Sequence, residues 1–203
     1  MTSKRGAVVR NKLIGGEEAA KFVKDGDVLA IEGSGGGVTE PTYLLRMLGE
    51  RFEKEGKPAN LTLYHCNGIG DKKEIGTDLL AMKGLVRRDI AGHWGMAPKM
   101  AQLAYEEKIE AYNFPQGVLS QMYQAVAANK PGVITKVGLH TFIDPRMEGG
   151  KMNRSAKEDL VKLIEIDGEE WLYFPKMKID ICFIRGTTAD TDGNITLEQE
   201  AAI

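Results

Sequence analysis

Cysteine is scarce in this 203-residue sequence, which contains only Cys66 and Cys182. The two lie far apart, and neither has a second cysteine or a histidine at the spacing of metal ligands, so neither a disulfide framework nor a zinc site is indicated. Residues 190–194, Asp-Thr-Asp-Gly-Asn, begin like a calcium-binding EF-hand loop, but its sixth position is Ile195 and its twelfth is Ala201. We therefore predict no metal site, a turn at 190–194 and a reducing compartment.

An excess of one charge is also missing, since 27 basic and 29 acidic residues give a formal net charge of -2. This balance provides no electrostatic footprint for nucleic acid or an anionic membrane, and we expect neither as a partner. The longest apolar run, residues 179–184, is interrupted by Asp180 and is far too short to span a bilayer. Because the amino-terminus also shows no apolar signal-peptide core, we expect a soluble, cytoplasmic protein.

Glycine, by contrast, is abundant, with 24 residues in the chain. The densest cluster, Gly33-Ser34-Gly35-Gly36-Gly37, follows an apolar strand pattern at 28–31 and precedes a helix pattern for which Thr39 is the expected N-cap. A backbone without Cβ atoms lets a ligand approach its amide N–H groups. The spacing fits neither a Rossmann fingerprint, whose third glycine would fall at Val38, nor a P-loop, which needs Gly-Lys-Ser/Thr. A tight strand-to-helix turn without a ligand stays an alternative.

Strand, turn and helix patterns alternate along the chain. Strand patterns at 61–65 and 109–114 each run into a glycine-bearing turn, and a helix pattern follows the second of them. This alternation predicts an α/β fold, with a mostly parallel sheet flanked by helices and ligands bound beyond the carboxyl ends of the strands. Residues 161–174, with Asp-Gly at 167–168, predict a small β-hairpin excursion from this fold. The dense apolar run at 179–184 predicts a strand covered on both faces.

Several polar residues fall at the same predicted edge. Gln116 follows Phe-Pro at a strand-to-helix corner, where its amide can contact a ligand or cap the turn. His65, His93 and His140 lie at predicted strand ends or in a loop and could line one cleft, but three unrelated hydrogen-bonded histidines are the simpler interpretation. Residues 131–157 are rich in glycine, proline and lysine, and a loop of this length is typically functional or disordered.

Taken together, these motifs resemble one protein family along nearly the whole chain. The likeness is to family I coenzyme A transferases, and within them to the acetate or propionate branch of short-chain acyl-CoA transferases. It rests on the order of the following segments: Asp25-Gly26-Asp27, Gly33-Ser34-Gly35-Gly36-Gly37, Ile90-Ala91-Gly92-His93-Trp94-Gly95, Glu110-Ala111-Tyr112-Asn113-Phe114-Pro115-Gln116-Gly117, Thr141-Phe142-Ile143-Asp144-Pro145-Arg146, Gly149-Gly150-Lys151 and Ile184-Arg185-Gly186-Thr187-Thr188-Ala189-Asp190.

The resemblance implies the open α/β sandwich of CoA transferases and a ping-pong exchange of CoA between an acyl-CoA and a short carboxylate. A glutamate would attack the thioester, and an acyl-glutamyl anhydride and then a glutamyl-CoA thioester would form, with amide donors stabilising each oxyanion. No cofactor is needed, because the coenzyme A thioester is itself the substrate. The family also implies short-chain fatty acid and ketone body metabolism, and a homo- or hetero-oligomer.

The nucleophile of the family is missing from the sequence. In the family it belongs to a second, β-type half, and none of the glutamates here matches its motif; Glu32 is not assigned that role. The resemblance therefore implies that residues 1–203 form one α-type domain, with 131–157 as a pocket loop and the catalytic half elsewhere. The chain would be an α-type subunit or, as we favour, the amino-terminal part of a longer polypeptide, with little activity alone.

By motif position, Gly33, Ser34, Gly35, Gly36 and Gly37 would wall the acyl and carboxylate pocket. Gln116 would contact the reacting carbonyl or orient the nucleophile, and Gly138 and Thr141 would complete the pocket. Two other functions stay open: a sugar-phosphate isomerase-like enzyme of related fold, which would need a lysine or an acid-base pair beside the glycine loop, and a non-catalytic ligand-sensing module. The sequence does not fix the acyl group.

Overall fold

The computed structural model describes residues 11–36 and 38–200. Within them, a 3₁₀ turn occupies Thr77–Leu80, and the α-helices are α1 (Gly16–Ala20), α2 (Thr42–Glu55), α3 (Pro98–Tyr105) and α4 (Gln116–Ala127). The strands of the same residues are β1 (Val28–Ile31), β2 (Leu61–His65), β3 (Val86–Ala91), β4 (Glu110–Asn113), β5 (Gly132–Thr135), β6 (Lys162–Ile166), β7 (Glu169–Pro175), β8 (Ile181–Phe183), β9 (Thr188–Ala189) and β10 (Ile195–Thr196).

A five-stranded sheet in the order β4-β3-β2-β1-β8 forms the centre of the molecule. All four pairings in it are parallel. Parallel neighbours need a crossover connection, and the helices and the 3₁₀ turn between the strands provide it. The predicted α/β fold with a mostly parallel sheet is confirmed.

The two faces of this sheet bury different layers because side chains alternate along each strand. Leu63 of β2 belongs to a core with α1, α2, the 3₁₀ turn and α3. Its neighbour Tyr64 belongs to a second core, formed with α4 and the second sheet, and its hydroxyl donates to the carbonyl of Leu119 at 2.8 Å. The loops that follow the strands lie at the carboxyl edge of the sheet.

The second sheet contains three antiparallel strands in the order β5-β7-β6. β6 and β7 form the predicted hairpin, whose turn residues Asp167 and Gly168 have φ of 54° and 77°. The interpretation of 131–157 as one long loop is wrong in part, because β5 pairs with β7 across a stretch of chain that local patterns do not connect. The rest of that segment is a series of turns, in which Lys151 forms an isolated antiparallel β-bridge with Tyr112 of β4.

Helix α2 differs from the prediction at its start. Its N-cap is Pro41 and not the predicted Thr39, whose Oγ1 instead accepts a hydrogen bond from the Ser34 N–H at 2.7 Å. The helix ends at Gly56, whose φ of 66° is the left-handed conformation that glycine adopts easily.

Strand β8 is also placed differently from the prediction of a strand covered on both faces. It lies at the edge of the five-stranded sheet, where Cys182 is exposed and only Phe183 is buried. Beyond it, β9 and β10 form a short hairpin around the predicted turn at 190–194, in which Asp190 Oδ1 accepts the N–H of Asn194 at 2.9 Å. No helix within residues 11–36 and 38–200 has the length and apolar character needed to cross a membrane.

Candidate functional site

The loops that follow β1, β2, β3 and β4 meet at the carboxyl edge of the five-stranded sheet, because these strands are parallel neighbours. The glycine loop after β1 is tied to the loop after β2 twice. Asn67 Nδ2 donates to the Gly33 carbonyl at 3.1 Å, and the Gly36 N–H donates to the Gly70 carbonyl at 2.7 Å. Glu40, which is buried, accepts the N–H of Gly70 at 2.6 Å. These contacts hold the two loops together.

Two amide groups in the glycine loop are used within the protein. Ser34 donates to Thr39, and Gly36 donates to Gly70. Within residues 11–36 and 38–200, the N–H of Gly35 donates to no acceptor. Gly35 is therefore a donor in this loop that a ligand oxygen can use without breaking an existing bond.

The glycines of the loop occupy their positions for different physical reasons. A Cβ added at Gly35 would lie 2.6 Å from the Gly68 carbonyl oxygen, and one at Gly33 would lie 3.0 Å from Glu40 Cα. Both positions thus need glycine for close packing against neighbouring loops. Gly36 has φ of 89° and open space around its Cβ position. Gly37, also predicted as part of the wall, lies outside the described residues.

Gln116 is the first residue of α4 and is exposed. A Cβ added at Gly92 would lie 2.7 Å from Gln116 Cγ, so the glutamine side chain covers the start of the loop after β3. The same Cβ would collide with the carbonyl oxygen of Cys66, in the loop after β2. The structure therefore places Gln116 and the glycine loop at one edge, with the loop after β2 between them.

Gly138 and Thr141 lie in the turn that follows β5. Thr141 Oγ1 donates to the Gly138 carbonyl at 2.7 Å, and a Cβ added at Gly138 would lie 2.9 Å from Ile143 Cγ2 and 3.2 Å from Leu172 Cδ1. Among the residues described, no hydrogen bond joins this turn to the glycine loop. Their part in a pocket stays a prediction.

The three histidines do not lie together in one cleft. His93 Nε2 accepts the N–H of Gly68 at 3.1 Å, which joins the loops after β2 and β3. His65 is buried at the end of β2, whereas His140 is exposed in the turn after β5. Two of the three therefore belong to the loop cluster at the carboxyl edge.

Sequence reasoning missed a buried carboxylate beneath these loops. Asp89, in β3, is fully buried, with its Oδ1 3.1 Å from His65 Nε2 and its Oδ2 accepting the Trp94 indole N–H at 2.9 Å. The available signal was an acidic residue inside an otherwise apolar strand end, Asp-Ile-Ala. Lysine and aspartate are rarely buried unless they are paired, so such a residue points to a partner.

The buried cysteine near the site is a poor nucleophile. Burial, with a further contribution from the Glu32 carboxylate, raises the pKa of the Cys66 thiol to about 12. Burial also raises the pKa of Glu32 itself. A thiol must lose its proton to act as a nucleophile, so Cys66 is not available for acyl transfer near neutral pH.

The fold and the loops define the class as an open α/β protein with a glycine-rich loop at the carboxyl edge of its parallel sheet. The model of the Coenzyme A transferase family matches residues 16–202. The chain belongs to this family.

Two bacterial relatives match almost all of this chain but only a third of their own length. The acetate CoA-transferase YdiF of Escherichia coli K12 is 43% identical over 94% of this chain and 36% of the relative. The caffeate CoA-transferase of Acetobacterium woodii is 44% identical over 95% of this chain and 36% of the relative. The chain thus spans about a third of the length of these curated relatives.

A solved structure and a shorter relative define which part of the family the chain represents. The acyl-CoA transferase YdiF from E. coli O157:H7, in a thioester complex with CoA, has a TM-score of 0.91 and 43% identity, covering 95% of this chain and 38% of that one. The acetate CoA-transferase subunit alpha of E. coli K12 is 27% identical over 95% of this chain and 78% of that subunit. The chain is the α-type half of a CoA transferase.

Proposed function

We propose that this chain is the amino-terminal half of a short-chain acyl-CoA:carboxylate CoA transferase of the acetate or propionate type. The observation that carries the proposal is the arrangement of the Gly35 amide and Gln116 at the carboxyl edge, on a chain 43% identical to an acetate CoA-transferase. Family membership argues against the isomerase-like alternative. A non-catalytic sensing module would bind ligand without transferring CoA.

In the proposed reaction, a glutamate of the other half attacks the carbonyl carbon of the donor acyl-CoA and releases CoA thiolate. The thiolate then attacks the glutamyl carbonyl of the resulting anhydride, which releases the first carboxylate and leaves a glutamyl-CoA thioester. The acceptor carboxylate reverses these steps and leaves with CoA. Proton transfer is not required between these species, and the coenzyme A thioester is substrate, not cofactor.

The residues of this chain would stabilise the oxyanions of these steps. The Gly35 N–H is directed by a loop that packing holds in place, so it needs no reorganisation when negative charge develops. The Gln116 side-chain amide can donate a second hydrogen bond from the opposite side. Ser34 and Gly36 would complete the wall, and we extend the pocket to Gly37, Gly138 and Thr141.

The remaining parts of the proposal concern the whole protein. Its partners would be acyl-CoA, a short carboxylate and a β-type half, in a cytoplasmic homo- or hetero-oligomer that serves short-chain fatty acid or ketone body metabolism. The relatives are named for acids as different as acetate and caffeate. We propose that the acceptor is a small acid such as acetate, and the test therefore includes a comparison of acceptors.

The test is CoA transfer by the complete protein from acetyl-CoA to propionate, followed by chromatography of the acyl-CoA products. Caffeate is the competing acceptor, and mass spectrometry of protein mixed with acetyl-CoA detects a covalently bound CoA. We expect transfer, a CoA adduct outside residues 1–203, and little or no activity of the 203-residue chain alone. Ligand binding without transfer, or full activity of the chain alone, would refute the proposal.

A further inference from the structure

A line of polar contacts runs beneath the candidate site, from the loop after β3 to the glycine loop. Trp94 Nε1 donates to Asp89 Oδ2 at 2.9 Å, and Asp89 Oδ1 lies 3.1 Å from His65 Nε2. On the other side of the ring, His65 Nδ1 lies 2.6 Å from the Asn67 carbonyl oxygen. The Asn67 side-chain amide then donates to the Gly33 carbonyl at 3.1 Å. One buried imidazole thus lies between β3 and the wall of the site.

The contacts of His65 favour a doubly protonated ring. Nδ1 faces a backbone carbonyl oxygen, which only accepts, so this nitrogen carries hydrogen, and Nε2 faces the Asp89 carboxylate, whose negative charge favours a proton on this nitrogen as well. The imidazolium form then makes an ion pair with Asp89 that lacks the alignment of a good hydrogen bond. Burial opposes this charge, but the Asp89 carboxylate and the Asn67 carbonyl outweigh it and raise the pKa of His65.

The other buried carboxylates near this face are engaged elsewhere. Glu40 accepts the Gly70 N–H, and Asp78, in the 3₁₀ turn, accepts the Met100 N–H at 3.0 Å. Asp89 is thus the carboxylate that contacts the ring, and the Trp94 indole holds its second oxygen in place.

Stability alone does not explain a charged pair at this position. Removing two charges from water is unfavourable, and an apolar pair of similar volume is often as stable or more stable. The residues beside His65 on the same face of β2, Leu61 and Leu63, show that this layer accommodates leucine. What leucine could not provide is a directed donor to the Asn67 carbonyl.

We infer that His65 is a positioning residue, an imidazolium that fixes the Asn67 loop and, through the Asn67 amide, the glycine loop at Gly33. The inference rests on the proposed function in one respect, namely that the glycine loop is the wall of the acyl pocket. Since Gly33 precedes the Gly35 donor by two residues, loss of this support displaces an oxyanion donor without removing it.

Two substitutions of His65 separate its two contacts. The Asn side-chain nitrogen of His65→Asn occupies the place of Nδ1 and keeps the hydrogen bond to the Asn67 carbonyl, whereas His65→Gln places a neutral N–H donor near Nε2, facing Asp89, and loses the hydrogen bond to Asn67. We expect His65→Asn to be the less stable protein and His65→Gln the less active one. In the complete transferase, kcat of His65→Gln should fall on the order of 10-fold to 100-fold with KM little changed.

A third substitution tests the last contact. Asn67→Asp keeps the shape of the side chain but cannot donate to the Gly33 carbonyl, and we expect a loss of kcat like that of His65→Gln. Asn60→Asp is the matched control, since Asn60 is exposed and has φ of 58°, which aspartate tolerates. Loss of activity that follows loss of stability across all variants would reduce His65 to a structural residue and overturn the inference.

The protonation state is read without any activity measurement. In protein labelled with ¹⁵N-histidine, the His65 ring should show two protonated nitrogens at neutral pH, with His65→Asn providing the assignment. A neutral ring, with the proton on Asp89, would overturn the inference. If the ring is an imidazolium and Asn67→Asp shifts the Gly33 amide resonance while no CoA transfer occurs, the positioning role stands and the proposed function fails.

Discussion

The carboxyl-edge loops and the β6–β7 hairpin of this protein are built in different ways. The loops are joined by residues far apart in sequence, they include glycines that leave no room for a Cβ, and they cover the buried pair of His65 and Asp89. The hairpin is local, its Gly168 has open space, and the ion pair that its Glu169 forms with Lys136 is solvent-exposed. The long-range contacts of the loops therefore lie where a ligand would bind, whereas the hairpin depends on its own turn.

The largest expected effect comes from the buried pair. Asp89→Ala leaves the His65 imidazolium without its counter-charge and should lower the free energy of unfolding by about 3–5 kcal/mol. The corresponding change in the three-stranded sheet, Glu169→Ala, should cost less than about 1 kcal/mol because exposed ion pairs contribute little. Denaturant unfolding of both variants measures the difference. Equal losses would show that the two regions are not constrained differently.

The same pair predicts a pH dependence. Because the folded-state pKa of His65 is raised above its unfolded value, its contribution to stability is fully present below about pH 6.5 and is lost as pH rises through the folded value. The stability advantage of the wild-type protein over Asp89→Asn should therefore shrink on the alkaline side. An advantage that grows with rising pH would contradict the assignment.

The next effect separates two reasons for glycine. Gly35→Ala places a Cβ 2.6 Å from the Gly68 carbonyl oxygen, and we expect a loss of about 1–3 kcal/mol. Gly168→Ala, in the hairpin, meets no atom within 4 Å but has φ of 77°, which costs about 1–2 kcal/mol. Asparagine tolerates positive φ, so Gly168→Asn should recover much of this loss while Gly35→Asn recovers none. Thermal unfolding of the four variants is the measurement.

A further effect concerns the stability of the fold at acid pH and comes from the turn that carries Asp144 and Arg146, beside the three-stranded sheet. The Arg146 guanidinium holds the pKa of the Asp144 carboxyl well below its usual range. A depressed pKa stabilises the fold above the unfolded value of about 4, and this stability is lost as pH falls through the folded value. Asp144→Asn should therefore show a flatter decline in stability below about pH 4 than the wild-type protein. An unchanged acid decline would mean that other carboxyls dominate it.

The smallest expected effect on the fold comes from Gln116. Its side chain is exposed, so Gln116→Ala should change the free energy of unfolding by less than about 0.5 kcal/mol. In the complete enzyme, loss of an oxyanion donor should lower kcat on the order of 100-fold. Gln121→Ala, an exposed glutamine on the same helix, is the control and should leave both quantities unchanged. Full activity of Gln116→Ala would remove it from the proposed site.

Much of the central fold was predictable because its signals are local. The apolar stretches of β1 and β2 have the predicted bounds, and the Asp-Gly turn fixes the hairpin by backbone conformation alone. The pairing of β5 with β7 was not predictable, because no local pattern at 132–135 indicates which strand it pairs with. Strand β8 reads as a fully buried strand by composition, but its place at the sheet edge is a matter of topology.

The sequence by itself determined the α/β alternation, the glycine loop after β1 and the corner that carries Gln116, since strand period, helix period and turn chemistry depend on neighbouring residues. Only the tertiary structure decided what the individual residues do. It assigns Gly33 and Gly35 to close packing, turns Thr39 from a helix cap into an acceptor for Ser34, and joins His65 to Asp89. The contact of His65 with Asp89 crosses between strands, and the parallel register of β2 and β3 exists only once the sheet has formed.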